Sequence, residues 1–392
     1  MKKFIVAFIA VISITLNGFS QEKFETKWHT GTTLKSDDGN FKISSGGRIY
    51  YDIAYFNQDK AIEDSLGSKT FGTEFRKVQL FFGGKLYGNI KYKTQLDFGG
   101  GKIAFKDVWV EFTKIPVIGN LRLGHFKEPM RLEALTSSKY GLAMERSFVS
   151  GVLEERNTGA MIFNEFMNKK LGIQLATMFN ADKWGNDKNN DEFMNLDGRI
   201  VFLPVNNETT TLHLGTYYSY RTNKNKTFAW ELKPDAHMGL HYIDFSVNAE
   251  NMNVFGGEFA ATWKPFTFWA EYINQAVNGI NNDYNFGAYT FYLGWFITGE
   301  HRSYKNTASG FNRIHPKKNL GDGGIGAFEL IARYSSVNFN DKDANGGQMN
   351  DVTIGINWYL NLSCKLMFNY VHSQRIGIGN ANIFEMRTQI DF

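Results

Sequence analysis

From about residue 46 to its end, the chain switches between apolar and polar side chains at almost every step, in one stretch after another. In the closing NIFEMRTQIDF, Phe384, Met386, Thr388, Ile390 and Phe392 fall on one side of an extended strand. Glu385, Arg387, Gln389 and Asp391 fall on the other, because side chains of a strand alternate faces. NIKYKTQLDF sets Ile90, Tyr92, Leu96 and Phe98 against Lys91, Lys93, Gln95 and Asp97. DVTIGINWYL sets Val352, Ile354, Ile356 and Trp358 against Asp351, Thr353, Gly355 and Asn357. Reading the whole chain for alternation and turn residues predicts about sixteen strands and almost no helix.

The connections between these strands differ in length in a regular way. Those at 86–89, 168–169, 205–208, 264–265 and 360–362 are short, and those at 57–73, 181–194, 222–238, 275–284, 302–324 and 340–348 are long and polar. Tight turns on one rim and long loops on the other are expected of a transmembrane barrel, whereas a sandwich has no reason to lengthen every second connection. A Lys or Arg facing lipid costs roughly 2–4 kcal/mol at mid-bilayer, so the charged faces must be wet. The expected fold is therefore all-β, a transmembrane antiparallel barrel of about sixteen strands with its charges toward the lumen. The last residue, Phe392, fits: outer-membrane barrels resemble one another in a closing strand that ends on an aromatic.

Composition and the N-terminus refine this. MKKFIVAFIAVISITLNGFS has a basic start (Lys2, Lys3), an apolar run and small residues before Gln21, the layout of a secretory signal peptide over residues 1–20. The expected organisation continues with a periplasmic segment at 21–45 and the barrel at 46–392, with 127–158 as a constriction loop. Phe, Tyr and Trp number 35, 18 and 8, and 39 Gly stand against 6 Pro, yet nothing after the signal approaches the ~20 apolar residues of a membrane helix. Cys364 is the single cysteine, so no internal disulfide is available. With Lys2 and Lys3 set aside, 41 basic residues face 39 acidic ones, and no basic stripe points to nucleic acid.

One connection breaks the hairpin rule. EPMRLEALTSSKYGLAMERSFVSGVLEERNTG is too rich in Leu, Met and Ala for a solvated loop, and inside a barrel it would narrow the lumen. The block around it has a Gly-x-Phe-Lys strand end (Gly124, Phe126, Lys127), Leu-Glu-x-Leu-Thr-Ser-Ser (Leu132 to Ser138), Met-Glu-Arg-Ser (Met144 to Ser147) and Arg156-x-x-Gly159. It resembles the central signature of the phosphate-selective porin O and P family, and Asp38 to Asp52 resembles the family's first strand. The resemblance implies a trimeric outer-membrane barrel of sixteen strands whose third loop folds into the pore, passing small anions such as phosphate. It also implies that outer-membrane lipid surrounds the barrel.

Arginine suits phosphate because its planar fork donates two bonds at once, while lysine acts as a point charge. The candidate anion contacts are Lys127, Arg131, Lys139, Arg146 and Arg156 on the loop, with Arg48, Lys91, Lys93, Arg333 and Arg387 on lumen-facing strands. Against this stand five carboxylates between Lys127 and Arg156; Glu145–Arg146 and Glu155–Arg156 are equally readable as ion pairs that pin the loop. DKDANGG mimics the start of a calcium loop through Asp341, Asp343 and Asn345, but its twelfth position is Val352 instead of Glu. No cofactor is implied, and no G-x-S-x-G, H-E-x-x-H or phosphate loop points to an enzyme. The competing reading is a secreted, soluble all-β glycan-binding module.

Overall fold

The structure, a computed structural model, describes residues 24–28, 30–186 and 194–392; the signal peptide expected over residues 1–20 lies outside them. Sixteen strands make the wall. They are β1 Lys42–Gln58, β2 Phe71–Leu86, β3 Ile90–Asp97, β4 Ala104–Ile115, β5 Gly119–Lys127, β6 Arg156–Phe166, β7 Leu171–Phe179 and β8 Met194–Asn206. The second half comprises β9 Thr210–Thr222, β10 Ile243–Trp263, β11 Phe266–Gly279, β12 Tyr284–Phe296, β13 Ala327–Asp341, β14 Ala344–Tyr359, β15 Cys364–Arg375 and β16 Gly379–Asp391. Each pairs antiparallel with its neighbour, and β16 returns to β1 with Arg387 opposite Asp52 and Ile390 opposite Ile49. The sheet thus closes on itself and leaves no edge along the wall. Short strands at Phe24–Trp28 and Thr32–Ser36 prolong the sheet beside the start of β1, which begins at Lys42 rather than at residue 46.

The two faces of each strand meet different surroundings. On β16, Phe384 is 53% exposed on the outside and Arg387 2% exposed on the inside; on β14, Ile354 is 56% exposed and Asp351 fully buried. An apolar band pointing outward from a closed sheet is stable only against lipid, which removes the soluble-module reading. Phe392 seals the seam: its carbonyl accepts from Gly47 N–H at 2.6 Å, and its N–H donates back to the Gly47 carbonyl at 3.2 Å. Gly47 is required there, since a Cβ would stand 2.6 Å from the Gln79 carbonyl oxygen as well as 2.8 Å from the Phe392 ring.

Three connections depart from expectation. The stretch 275–284 is not a long loop, because β11 runs to Gly279 and β12 starts at Tyr284, leaving only residues 280–283 between them. Residues 297–326, joining β12 to β13, lie on the rim of the tight turns, so the long stretch 302–324 is not one of the outer loops. It folds up into the barrel, where Phe311 is buried and the Thr307 carbonyl accepts from Arg199 of β8 at 2.7 Å. The stretch 340–348 is no long loop either. β13 and β14 run on to a two-residue turn at 342–343, with Lys342 in the left-handed region (φ 53°). Asp341 accepts from Asn285 N–H, Asp343 accepts from Asn282, and Asn345 donates to the Asp343 carbonyl. These residues staple neighbouring hairpins together, and no cluster of three or more His, Cys, Asp or Glu with metal-binding spacing occurs among the described residues.

Three segments occupy the interior: residues 128–155 between β5 and β6, the outer loop 233–242 between β9 and β10, and the 297–326 segment. Phe148, Val149 and Val152 of the first and Leu232, Ala236 and Tyr242 around the second pack on inward Ile273, Phe286, Val337 and Ile383. Apolar side chains inside this half of the wall therefore bury a plug instead of facing water.

Candidate functional site

The plug leaves open a cavity of about 830 Å³, between the inner faces of β1–β6 and the inserted loop 128–155. Strict alternation already places Arg48, Lys91, Lys93, Glu111 and Arg122 there. Two β-bulges add more. On β2, Tyr50 and Tyr51 of β1 pair with Lys77 and Phe75, leaving Arg76 as an extra residue. On β4, Lys106 and Asp107 together oppose the single Gln95. An extra residue shifts the phase of a strand, so the neighbours Arg76 and Lys77, and likewise Lys106 and Asp107, all reach the cavity.

The inserted loop is held by carboxylate hubs. Glu133 accepts from Ser147 N–H (3.1 Å), Ser147 Oγ (2.7 Å), Ser150 Oγ (2.8 Å) and the Tyr292 hydroxyl of β12. Glu145 crosses to the wall, binding Arg76 at 2.9 Å and Arg387 at 2.6 Å; it does not pair with its sequence neighbour Arg146. Arg146 instead meets Glu155 at 2.8 Å, beside Lys127 at 3.0 Å and Arg156 at 2.9 Å. Asp107 joins Arg156 (2.9 Å) to Lys93 (2.6 Å). Four cations therefore share two carboxylates where the inserted loop meets the wall.

Arg48, Lys91, Lys93, Lys127, Lys139 and Arg146 all line the cavity. Arg48 donates to Ser138 Oγ at 2.9 Å, Lys139 lies 3.3 Å from Asp391, and Lys91 lies 3.0 Å from Glu111. Arg131 does not join them. It is fully buried, and its guanidinium donates to the carbonyls of Ser150 (3.0 Å), Leu153 (2.9 Å) and Glu154 (2.5 Å), closing the loop on itself. Arg333 and Arg387 are spent under the plug, on Asp235 and on Asp52 with Glu145.

Lining residues beyond the candidates named from the sequence are Arg76, Lys77, Lys106, Arg122 and Lys305; of these, Arg122 lies on the inward face of β5 that alternation with exposed Leu123 already marks. The adjacent charges in EFRKVQLFF and AFKDVWVEF carry the signal for the first three, because two consecutive charges in an otherwise alternating strand mark a bulge. Among the described residues Lys77 has no ion-pair partner and rests 5.5 Å over the Tyr50 ring. Arg122 is stacked 4.5 Å over Trp109 and bound to Glu111 at 2.5 Å. Lys305 arrives on the 297–326 segment, which no local pattern places in the lumen.

Electrostatics on the loop follow from these contacts. Burial pushes the Glu155 carboxyl up, but Arg146, Arg156 and Lys127 outweigh it and hold it well below the usual range. Glu145 is likewise held well below by Arg76 and Arg387 against its burial. Both stay ionised. Burial first, and Arg48 second, push Lys139 down to about 8. Twelve Lys and Arg line the cavity against five Asp and Glu, and a cleft with such an excess concentrates counter-ions of the opposite sign.

Comparison with known proteins agrees with this geometry. Porin O of Pseudomonas aeruginosa is 25% identical over 90% of this chain and 87% of its own. Among solved structures, the anion-selective porin from Comamonas acidovorans covers 90% of this chain and 100% of its own, with a TM-score of 0.55 at 12% identity. In-vitro folded OmpT of Vibrio cholerae covers 95% and 100%, with a TM-score of 0.57 at 9% identity; both likenesses concern the fold. Residues 43–392 match the family described as phosphate-selective porin O and P, so the chain belongs to that family of outer-membrane porins.

Proposed function

We propose that this porin admits small solutes by passive diffusion through the β1–β6 half of the barrel and prefers anions, phosphate among them. The observation that carries the reading is the excess of twelve cationic over five anionic side chains along one continuous cavity. Most of the arginines are held by carboxylates, which keeps them in place while leaving donors to spare. An anion moving past Lys77, Lys127 and Arg146 exchanges hydration for these donors without meeting a closed cage, as conduction requires. The family and the fold support transport as the chain's work. Two further observations support assembly as a homotrimer in outer-membrane lipid: family membership and a trimer form among the OmpT structures.

The test is phosphate added to single channels carrying chloride. Block of the chloride current is expected, and Lys127→Ala or Arg146→Ala should weaken it by roughly ten- to hundredfold, the worth of one charge-assisted bond. Chloride current indifferent to phosphate would contradict the phosphate preference.

A further inference from the structure

The outer loop 233–242 leaves the wall between β9 and β10 and reaches strands across the barrel. His237 Nδ1 lies 2.7 Å from Glu74 of β2, and Gln58 of β1 donates to the Tyr242 hydroxyl at 3.1 Å. Midway, Asp235 is almost fully buried against the opposite wall. Its Oδ2 lies 2.9 Å from Arg333 Nη2 of β13, and its backbone N–H donates to Asp351 Oδ2 of β14 at 2.7 Å. Asp351 stands in an inward row between Ser335 and Ser373 of the flanking strands.

The site holds two carboxyls and one guanidinium. Arg333 is already committed, donating also to the Tyr292 hydroxyl, the Glu145 carbonyl and Thr353 Oγ1. Asp235 Oδ1, Asp351 Oδ1 and Ser373 Oγ have no hydrogen-bond partner. Of the other charged groups facing the pair, Glu133 on the 128–155 loop adds to the negative side, and His372 on β15 is the remaining source of positive charge. His372 has its Nδ1 on Asn382. Buried carboxylates in excess of their cations take up protons, because a desolvated unpaired charge costs more than a neutral acid.

We infer that Asp235 and Asp351 share one proton while the loop is docked, so that proton binding holds loop 233–242 across the lumen. Burial and the neighbouring Asp351 push the Asp235 carboxyl well above its usual range, against the pull of Arg333. The sign follows by linkage. A lifted loop returns Asp235 to water, where it gives up its proton at lower pH than in the docked state. Docking is therefore strongest in acid and weakens as pH rises through the docked-state value.

Hydrogen exchange by mass spectrometry on the intact, detergent-folded porin reads this directly. After correction for chemical exchange rates, protection of the 233–242 peptide should fall about tenfold for each pKa unit of linkage between about pH 5.5 and about pH 8.5. In Asp351→Asn, which removes the excess charge but leaves the His237–Glu74 contact, the fall should be distinctly smaller than in wild type; heat-shifted gel mobility reports whether that variant has folded, and Asp235→Asn serves if it has not. Equal protection at both pH values in the wild type would overturn the inference, as would an equal fall in wild type and variant. Protection restored at high pH by calcium and removed by chelation would also overturn it, since a metal ion would then be the ligand.

Discussion

Glu155 is the residue on which the passage turns, because one carboxylate meets Lys127, Arg146 and Arg156. Glu155→Gln removes a lining anion and frees donors, so the anion-to-cation permeability ratio should rise in reversal-potential measurements; a fall would show that the carboxylate was holding the cations in the path. Arg131→Ala should act differently. It strips three buried carbonyls of charged donors, a loss of roughly 3 kcal/mol or more. The expected result is noisy, flickering channels of unchanged selectivity. Lys139 provides the pH handle: its charge is complete well below about 8 and lost above it, so anion preference should be flat through neutrality and decline as pH passes that value. At this scale the sequence shows which residue types face water and not which charges meet. Glu145–Arg146 are adjacent in the chain, yet the backbone aims them at Arg76 and Glu155, and only the fold decides that.

Strands were the most legible elements. All sixteen lie where alternation places them, because a one-residue slip would move every charge on a strand into lipid. Insertions were partly legible. The 128–155 loop announces itself through Leu, Met and Ala that need a buried surface, whereas 297–326 reads as one more polar loop. Its rim depends on counting hairpins, and its ascent into the lumen depends on partners such as Arg199 on a distant strand. Glu133 is the element-scale test of how the 128–155 loop is held. Glu133→Ala leaves Ser147 N–H, Ser150 and Tyr292 without their acceptor, each costing about 1–3 kcal/mol when buried. Single-channel conductance should increase and fluctuate as the loop loosens; conductance identical to wild type would mean that Glu145 and Arg387 suffice to pin it.

The whole barrel is divided lengthwise into unlike halves. One is filled by apolar side chains from two inserted loops, and the other keeps a continuous cationic lining. Such a division explains how a chain with nearly balanced net charge can select by sign: near neutrality overall, the charge is sorted in space. Planar-bilayer measurement of the reversal potential across a KCl gradient tests this most directly. The expected potential has the sign set by chloride permeating faster than potassium. A potassium-selective potential, or none, would mean that the carboxylates cancel the lining in situ, and the anion preference would be withdrawn.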